Sequence, residues 1–115
     1  MVVREDKRGT VTVLTLQTLY IGASEAGILM DALHELRERD EKWIVIDLSQ
    51  VMTMNSSGLG ALISGLNTMR QAGGDLKLSG VTEKVEKLFV ITKLHSVFER
   101  FASVQEAVDS FLDFA

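Results

Sequence analysis

No cysteine and no proline occur among the 115 residues. Without cysteine the chain has no disulfide, no thiolate metal ligand and no thiol nucleophile, which suits a reducing compartment. Without proline nothing marks a rigid linker. Gly73-Gly74 is the one glycine pair, and it reads as a helix stop. Long apolar runs are missing too: none approaches the ~20 residues of a membrane-spanning helix. Met1 to Arg8 carries charges where a signal peptide would be apolar. These absences predict a cytoplasmic protein without direct membrane contact. Basic residues are in deficit, 12 against 16 acidic, for a net charge of −4. Such a surface lacks the cations that a nucleic-acid backbone requires, so no nucleic-acid partner is expected. The length fits one domain over 1–115, with a real core.

What is present is a regular alternation of patterns. Val2-Val3 and Thr10 to Leu16 read as two strands joined by a turn at Lys7-Arg8-Gly9, the second shifting its apolar parity at Leu14. Ser24 is the expected N-cap of a first helix, with Ala26, Leu29, Met30, Leu33 and Leu36 at helical spacing and Glu35 and Arg39 four apart on the other face. Trp43 to Leu48 is a nearly unbroken apolar run, as in a central strand covered on both faces. Ser49 to Asn55 has no regular period. A second helix carries Leu59, Leu62, Ile63, Leu66 and Met69, and a fourth strand alternates Leu76 and Leu78 with Asp75, Lys77 and Ser79. Thr82 is the expected cap of a third helix with Val85, Leu88 and Phe89. Val97 to Phe101 is a short strand. Ser103 and Glu106 have capping-box spacing before a last helix with Val104, Ala107, Val108, Phe111 and Leu112 on one face. Strands alternating with helices predict an α/β fold with a largely parallel sheet.

The segment from Asp47 to Gly60 holds the chemistry. It leaves a buried strand and enters an amphipathic helix whose start presents Ser56 and Ser57, then Gly58 and Gly60. The first N–H groups of a helix lack intrahelical partners, and the dipole there favours negative charge. A phosphate on either serine would sit at that positive end. Glycines allow another surface to come close to the backbone. The plainer reading stays open beside this one: Asn55 or Ser56 is an N-cap, and the glycines pack the helix against the sheet.

Asp47-Leu48-Ser49, Ser56-Ser57-Gly58-Leu59-Gly60, Gly73-Gly74-Asp75-Leu76-Lys77-Leu78-Ser79-Gly80-Val81, Phe98 and Ser103-Val104-Gln105-Glu106-Ala107 together resemble the STAS family, which includes anti-sigma factor antagonists and the cytoplasmic domains of sulfate transporters. The resemblance implies a mixed, largely parallel sheet of four to five strands, covered mainly on one face by about four helices. It also implies a binding protein and no enzyme. Its partner would be an anti-sigma factor that is a serine kinase of the histidine-kinase-like ATPase fold. Binding would release a sigma factor, and phosphorylation of Ser56, with Ser57 as the backup acceptor, would end the complex. A metal-dependent phosphatase would reset it. Asn55, Ser56, Ser57 and Gly58 would form the contact centre, beside the exposed side of the helix and bordered by Gly22 to Ser24. Monomer or weak dimer is the expected state, without cofactor or metal. In place of the acceptor's usual aspartate neighbour stands Asn55, similar in shape but uncharged. That keeps a second reading in view, an unphosphorylated scaffold or adaptor subunit in a signalling or transport complex.

Other signals fall short. Gly58-Leu59-Gly60 begins like a dinucleotide fingerprint but lacks the third glycine and the tight turn, and no Gly-Lys-Ser/Thr loop occurs. His34 and His95 are the only bases available to activate Ser56, no Gly-x-Ser-x-Gly elbow is present, and the two histidines have no metal-ligand spacing. Of Met52 and Met54, flanking the central loop, one is expected in the core and one at an interface.

Overall fold

The computed structural model describes residues 1–112. Along the chain run β1 (Val2–Arg8), β2 (Val11–Gln17), β3 (Tyr20–Ile21), α1 (Ala23–Glu38), β4 (Trp43–Asp47), β5 (Thr53–Met54), α2 (Ser56–Gln71), β6 (Asp75–Ser79), α3 (Glu83–Ile91), β7 (Arg100–Phe101) and α4 (Val104–Leu112). Five strands form one sheet in the order β1-β2-β4-β6-β7, parallel except for the β1–β2 hairpin. The two remaining short strands, β3 and β5, pair parallel in a ribbon of their own.

The shift of parity in β2 now has a cause. Leu14 and Leu16 join Ile44, Ile46, Leu76 and Leu78 beneath α1, α2 and α3 in the main core. Val11 and Val13 face the other way and meet Val45, Ala107 and Val108 under α4. Both faces of the central strands are therefore dry, and an apolar run such as Trp43 to Leu48 is what a strand covered twice requires. Phe89 of α3 is fully buried and stacks on Phe98, with ring centroids 5.7 Å apart. On the thinner side Trp43 meets Phe111 edge to face at 5.7 Å.

Several local expectations are corrected. β1 extends to Arg8 and the turn is Gly9-Thr10, because seven backbone pairings to β2 hold its charged residues in the strand. Those charges then find partners: Lys7 bridges to Glu41, and Arg39 donates to Glu5 at 2.8 Å instead of reaching Glu35. Thr82 stands at the N-cap of α3, but its hydroxyl donates to the Val51 carbonyl at 2.8 Å and accepts from no N–H of its own helix. Lys77 and Ser79, which alternate with leucines as if solvated, are buried. The Lys77 ammonium lies under α4, donating to Ser110 Oγ at 2.8 Å, 3.3 Å from Glu99 Oε2 and 4.2 Å from the Phe111 ring centre. Such a triple arrangement meets the cost of burying a charge. The last strand is confined to Arg100–Phe101, and Leu112 is exposed. Ser103 caps α4 as its spacing predicts, accepting from the Glu106 N–H at 3.1 Å.

Candidate functional site

In a parallel sheet each strand delivers the chain to the N-terminus of the next helix, so the helix starts gather beyond the carboxyl ends of the strands. Two of them are tied together here. β3 leads into α1 and β5 leads into α2, and the ribbon joins them: the Met52 N–H donates to the Leu19 carbonyl at 2.9 Å and the Asn55 N–H to the Ile21 carbonyl at 3.1 Å. From below, Asp47 secures the loop. Its carboxylate accepts from the Ser49 N–H and hydroxyl, each at 3.1 Å, and from the Ser79 hydroxyl at 3.4 Å.

Asn55 is the N-cap of α2. Its backbone is extended, and Oδ1 accepts from the N–H groups of Ser57 at 3.0 Å and Gly58 at 3.2 Å. An aspartate would bring the same oxygen and a charge as well. The asparagine thus preserves the cap and leaves the first turn of α2 without any acid. Asn55→Ala should cost about 1 kcal/mol in denaturant unfolding, whereas Asn55→Asp should hold or gain a few tenths through the dipole. Equal stability of Asn55→Ala and the parent would show that the cap carries no weight.

Ser56 and Ser57 are both exposed, at the first and second positions of α2. Gly58 is buried, and its N–H is already taken by Asn55. A Cβ there would stand 2.8 Å from the Ile21 carbonyl oxygen and 2.9 Å from Met54 Cβ. Gly58 therefore sets the spacing between helix and ribbon and is no contact surface. Gly60 is exposed, with nothing within 4 Å of a Cβ. The two methionines divide as their setting demands, Met54 buried and Met52 exposed.

The start of α1 is built differently. Its cap is Gly22, not Ser24. The Gly22 N–H donates to Glu25 Oε1 at 2.9 Å, and the Ser24 hydroxyl donates to Glu25 Oε2 at 2.7 Å. These bonds, the Ser24 hydroxyl foremost, hold the Glu25 carboxyl below the usual range. The dipole of α1 is thus met by an internal carboxylate, while that of α2 is met only by neutral groups. Ser24 itself is exposed.

The remaining candidates lie apart from this arrangement. His34 and His95 are exposed. Among the described residues no three histidine or carboxylate groups gather as metal ligands, and no helix is long and apolar enough to cross a membrane. A shallow crevice lined by Gly80, Val81, Glu86, Arg100, Phe101 and Ala102 opens between α3 and β7. Its guanidinium sits 3.1 Å from Glu86, near enough for an ion pair although not aligned for a hydrogen bond, so the crevice has little net charge to offer. Sequence reasoning missed the ribbon and the exposed Leu19 and Tyr20 beside it. The signal available for the α1 start was a glycine followed three residues later by a glutamate.

A family model described as the STAS domain matches residues 3–107. The anti-sigma-B factor antagonist of Listeria monocytogenes is 32% identical over 79 residues, 69% of this chain and 69% of that protein. That of Bacillus subtilis is 31% identical over 88 residues, 76% and 80% of the two chains. The fold is shared with the Bacillus protein SpoIIAA, an anti-sigma factor antagonist. Its unphosphorylated form superposes with a TM-score of 0.83 at 16% identity, covering 97% of both chains. Its phosphorylated form superposes with a TM-score of 0.75 at 15% identity, covering 96% and 99%.

Proposed function

Because this chain belongs to the STAS domain family, we propose that it is an anti-sigma factor antagonist, a binding module of the cytoplasm switched by a phosphate on Ser56. In the unmodified state it holds an anti-sigma factor and so frees a sigma factor. The partner is also a serine kinase of the histidine-kinase-like ATPase fold. It transfers the γ-phosphate of ATP to the Ser56 oxygen, and ADP and the hydroxyl proton leave. A metal-dependent serine phosphatase removes the phosphate by hydrolysis. Chemistry is supplied by these partners, and this chain supplies the acceptor and the surface.

The observation that carries the reading is the start of α2: two exposed hydroxyls on an asparagine-capped, acid-free first turn. A phosphate adds about −1.5 to −2 charges near pH 7. At this helix end it meets a positive dipole and no carboxylate of its own turn. The fold can therefore bear it. A partner seated over Ser56 would have to desolvate a dianion facing its own surface, which is costly unless paired. The same modification is thus mild within the chain and severe across an interface. SpoIIAA, which shares the fold, has been solved both with and without its phosphate.

The test is peptide mapping of the helix start from protein recovered from its own cells, growing and stressed. One phosphate on Ser56, absent in Ser56→Ala and retained in Ser57→Ala, is the expected result. A peptide that stays unmodified in every condition, in a protein held in a stable complex, would instead identify a scaffold.

A further inference from the structure

Leu19, Tyr20 and Met52 are 70%, 45% and 42% exposed. A single exposed leucine is unremarkable on a protein surface, but these three are neighbours in space. Met52 is bonded through its backbone to Leu19, and Tyr20 pairs with Thr53 across the ribbon. Pairing turns Ile21 and Met54 inward, where both are buried, and leaves Tyr20 on the outer side. Met52 stands four residues before Ser56, immediately ahead of the short strand that runs into α2. The patch therefore belongs to the same ribbon that leads into the two hydroxyls.

Its border is defined as well. The Tyr20 ring lies across Gly22, with Cε2 only 2.8 Å from where a Cβ would be, and Glu25 Oε1 is 3.2 Å from the same point. An aromatic ring and a carboxylate thus share the space that glycine vacates. The carboxylate is anchored by the Gly22 N–H and the Ser24 hydroxyl, which leaves lone pairs for a further donor. A ring beside an anion is a seat for a cation, and a leucine with a methionine beside it is an adaptable apolar seat. Aromatic residues and methionine are also enriched where proteins meet.

We propose that Leu19, Tyr20 and Met52 form an anchoring shelf on which the kinase that modifies Ser56 seats an apolar side chain flanked by an arginine or lysine. The inference rests on the phosphorylation switch proposed above and names how its enzyme takes hold. Anchoring at the shelf places Ser56 at a fixed offset from the bound partner, so that the γ-phosphate is delivered to one hydroxyl of the adjacent pair.

The test replaces the chain in its own cells by Leu19→Ser/Met52→Ser, by Glu25→Gln and by Ile91→Ser, and measures the fraction of Ser56 carrying phosphate. Glu25→Gln retains an acceptor for the helix start and removes the charge. Ile91 is an exposed apolar residue at the far end of α3 and serves as control. The expected result is a tenfold or larger fall in the double variant, a several-fold fall in Glu25→Gln and no change in Ile91→Ser. Thermal unfolding should match the parent; should the double variant unfold, Leu19→Ser alone, the most exposed change, reads the same question. Parent and double variant phosphorylated alike would overturn the shelf and leave the switch standing. A parent dimer that the double variant dissolves, with Ser56 phosphate unchanged, would overturn it in favour of a second copy of the chain. No phosphate even on the parent would overturn the switch and the shelf with it.

Discussion

Gly74→Ala should destabilise the protein by at least about 3 kcal/mol in denaturant unfolding, the largest effect expected of a single methyl group. Gly74 follows α2 and sets the chain into β6 against β4. A Cβ there would overlap the Lys42 carbonyl oxygen and stand 2.6 Å from its carbonyl carbon and 2.7 Å from Lys42 Cβ. The obstacle is backbone, not the tip of a mobile side chain, so it cannot swing aside. Relief requires the start of β6 to move off β4. That movement breaks the bond from the Asp75 N–H to the Lys42 carbonyl, now 3.0 Å, in the middle of the sheet. A loss below about 1 kcal/mol would mean the strand ends yield far more easily than their close-packed neighbours allow.

Gly58 and Gly60, two residues apart, should respond with opposite signs. Gly58→Ala should cost about 2 kcal/mol, since its methyl group meets the Ile21 carbonyl and Met54 from a helix held against the ribbon. It should also displace the start of α2, and with it the orientation of Ser56. Gly60→Ala meets nothing and sits in a helix, so it should stabilise by about 0.5–1 kcal/mol. Paired unfolding curves of the two variants check both values. Stabilisation by both would show that neither glycine is held by its surroundings. Since Gly60→Ala keeps the fold, any loss of phosphate or partner in that variant reports contact at the helix surface itself.

Much of this architecture was legible because its signals are local. The stripes of α1 and α2 appear as Leu29-Leu33-Leu36 and Leu59-Leu62-Leu66, and their burial follows. The run at Trp43 marked a strand covered on both faces. The capping serine of α4 could be read from its spacing alone. What escaped was set by partners distant in sequence. The charged strip Arg4 to Arg8 has little to mark it as strand until β2 lies beside it. Lys77 alternates with leucines as a solvated lysine would, and only α4 buries it. Ser24 looked like a cap because serine is a good one, yet Glu25 reaching back to Gly22 satisfied the same need two residues earlier. At the start of α2, Ser56 and Ser57 were singled out by residue type and resemblance, and both are exposed. The role of Asn55 as the cap, and of Gly58 as a spacer against Ile21, needed the ribbon, which two pairs of residues form and no periodicity announces. The plain reading of Asn55 as a cap and Gly58 as a spacer leaves both serine hydroxyls exposed.

The two faces of the sheet are also finished at different times. A chain leaving the ribosome presents β1 well before α4, and a domain folds as a unit once its parts are out. The cover for the face under α1, α2 and α3 is synthesised between its strands. The other face waits. Val11, Val13 and Val45 are available early, but their cover, Ala107 and Val108, lies within α4. A nascent or truncated chain lacking α4 would carry a bare strip of valine on a nearly finished sheet. Its solubility in the cell is thus decided by whether α4 is in place.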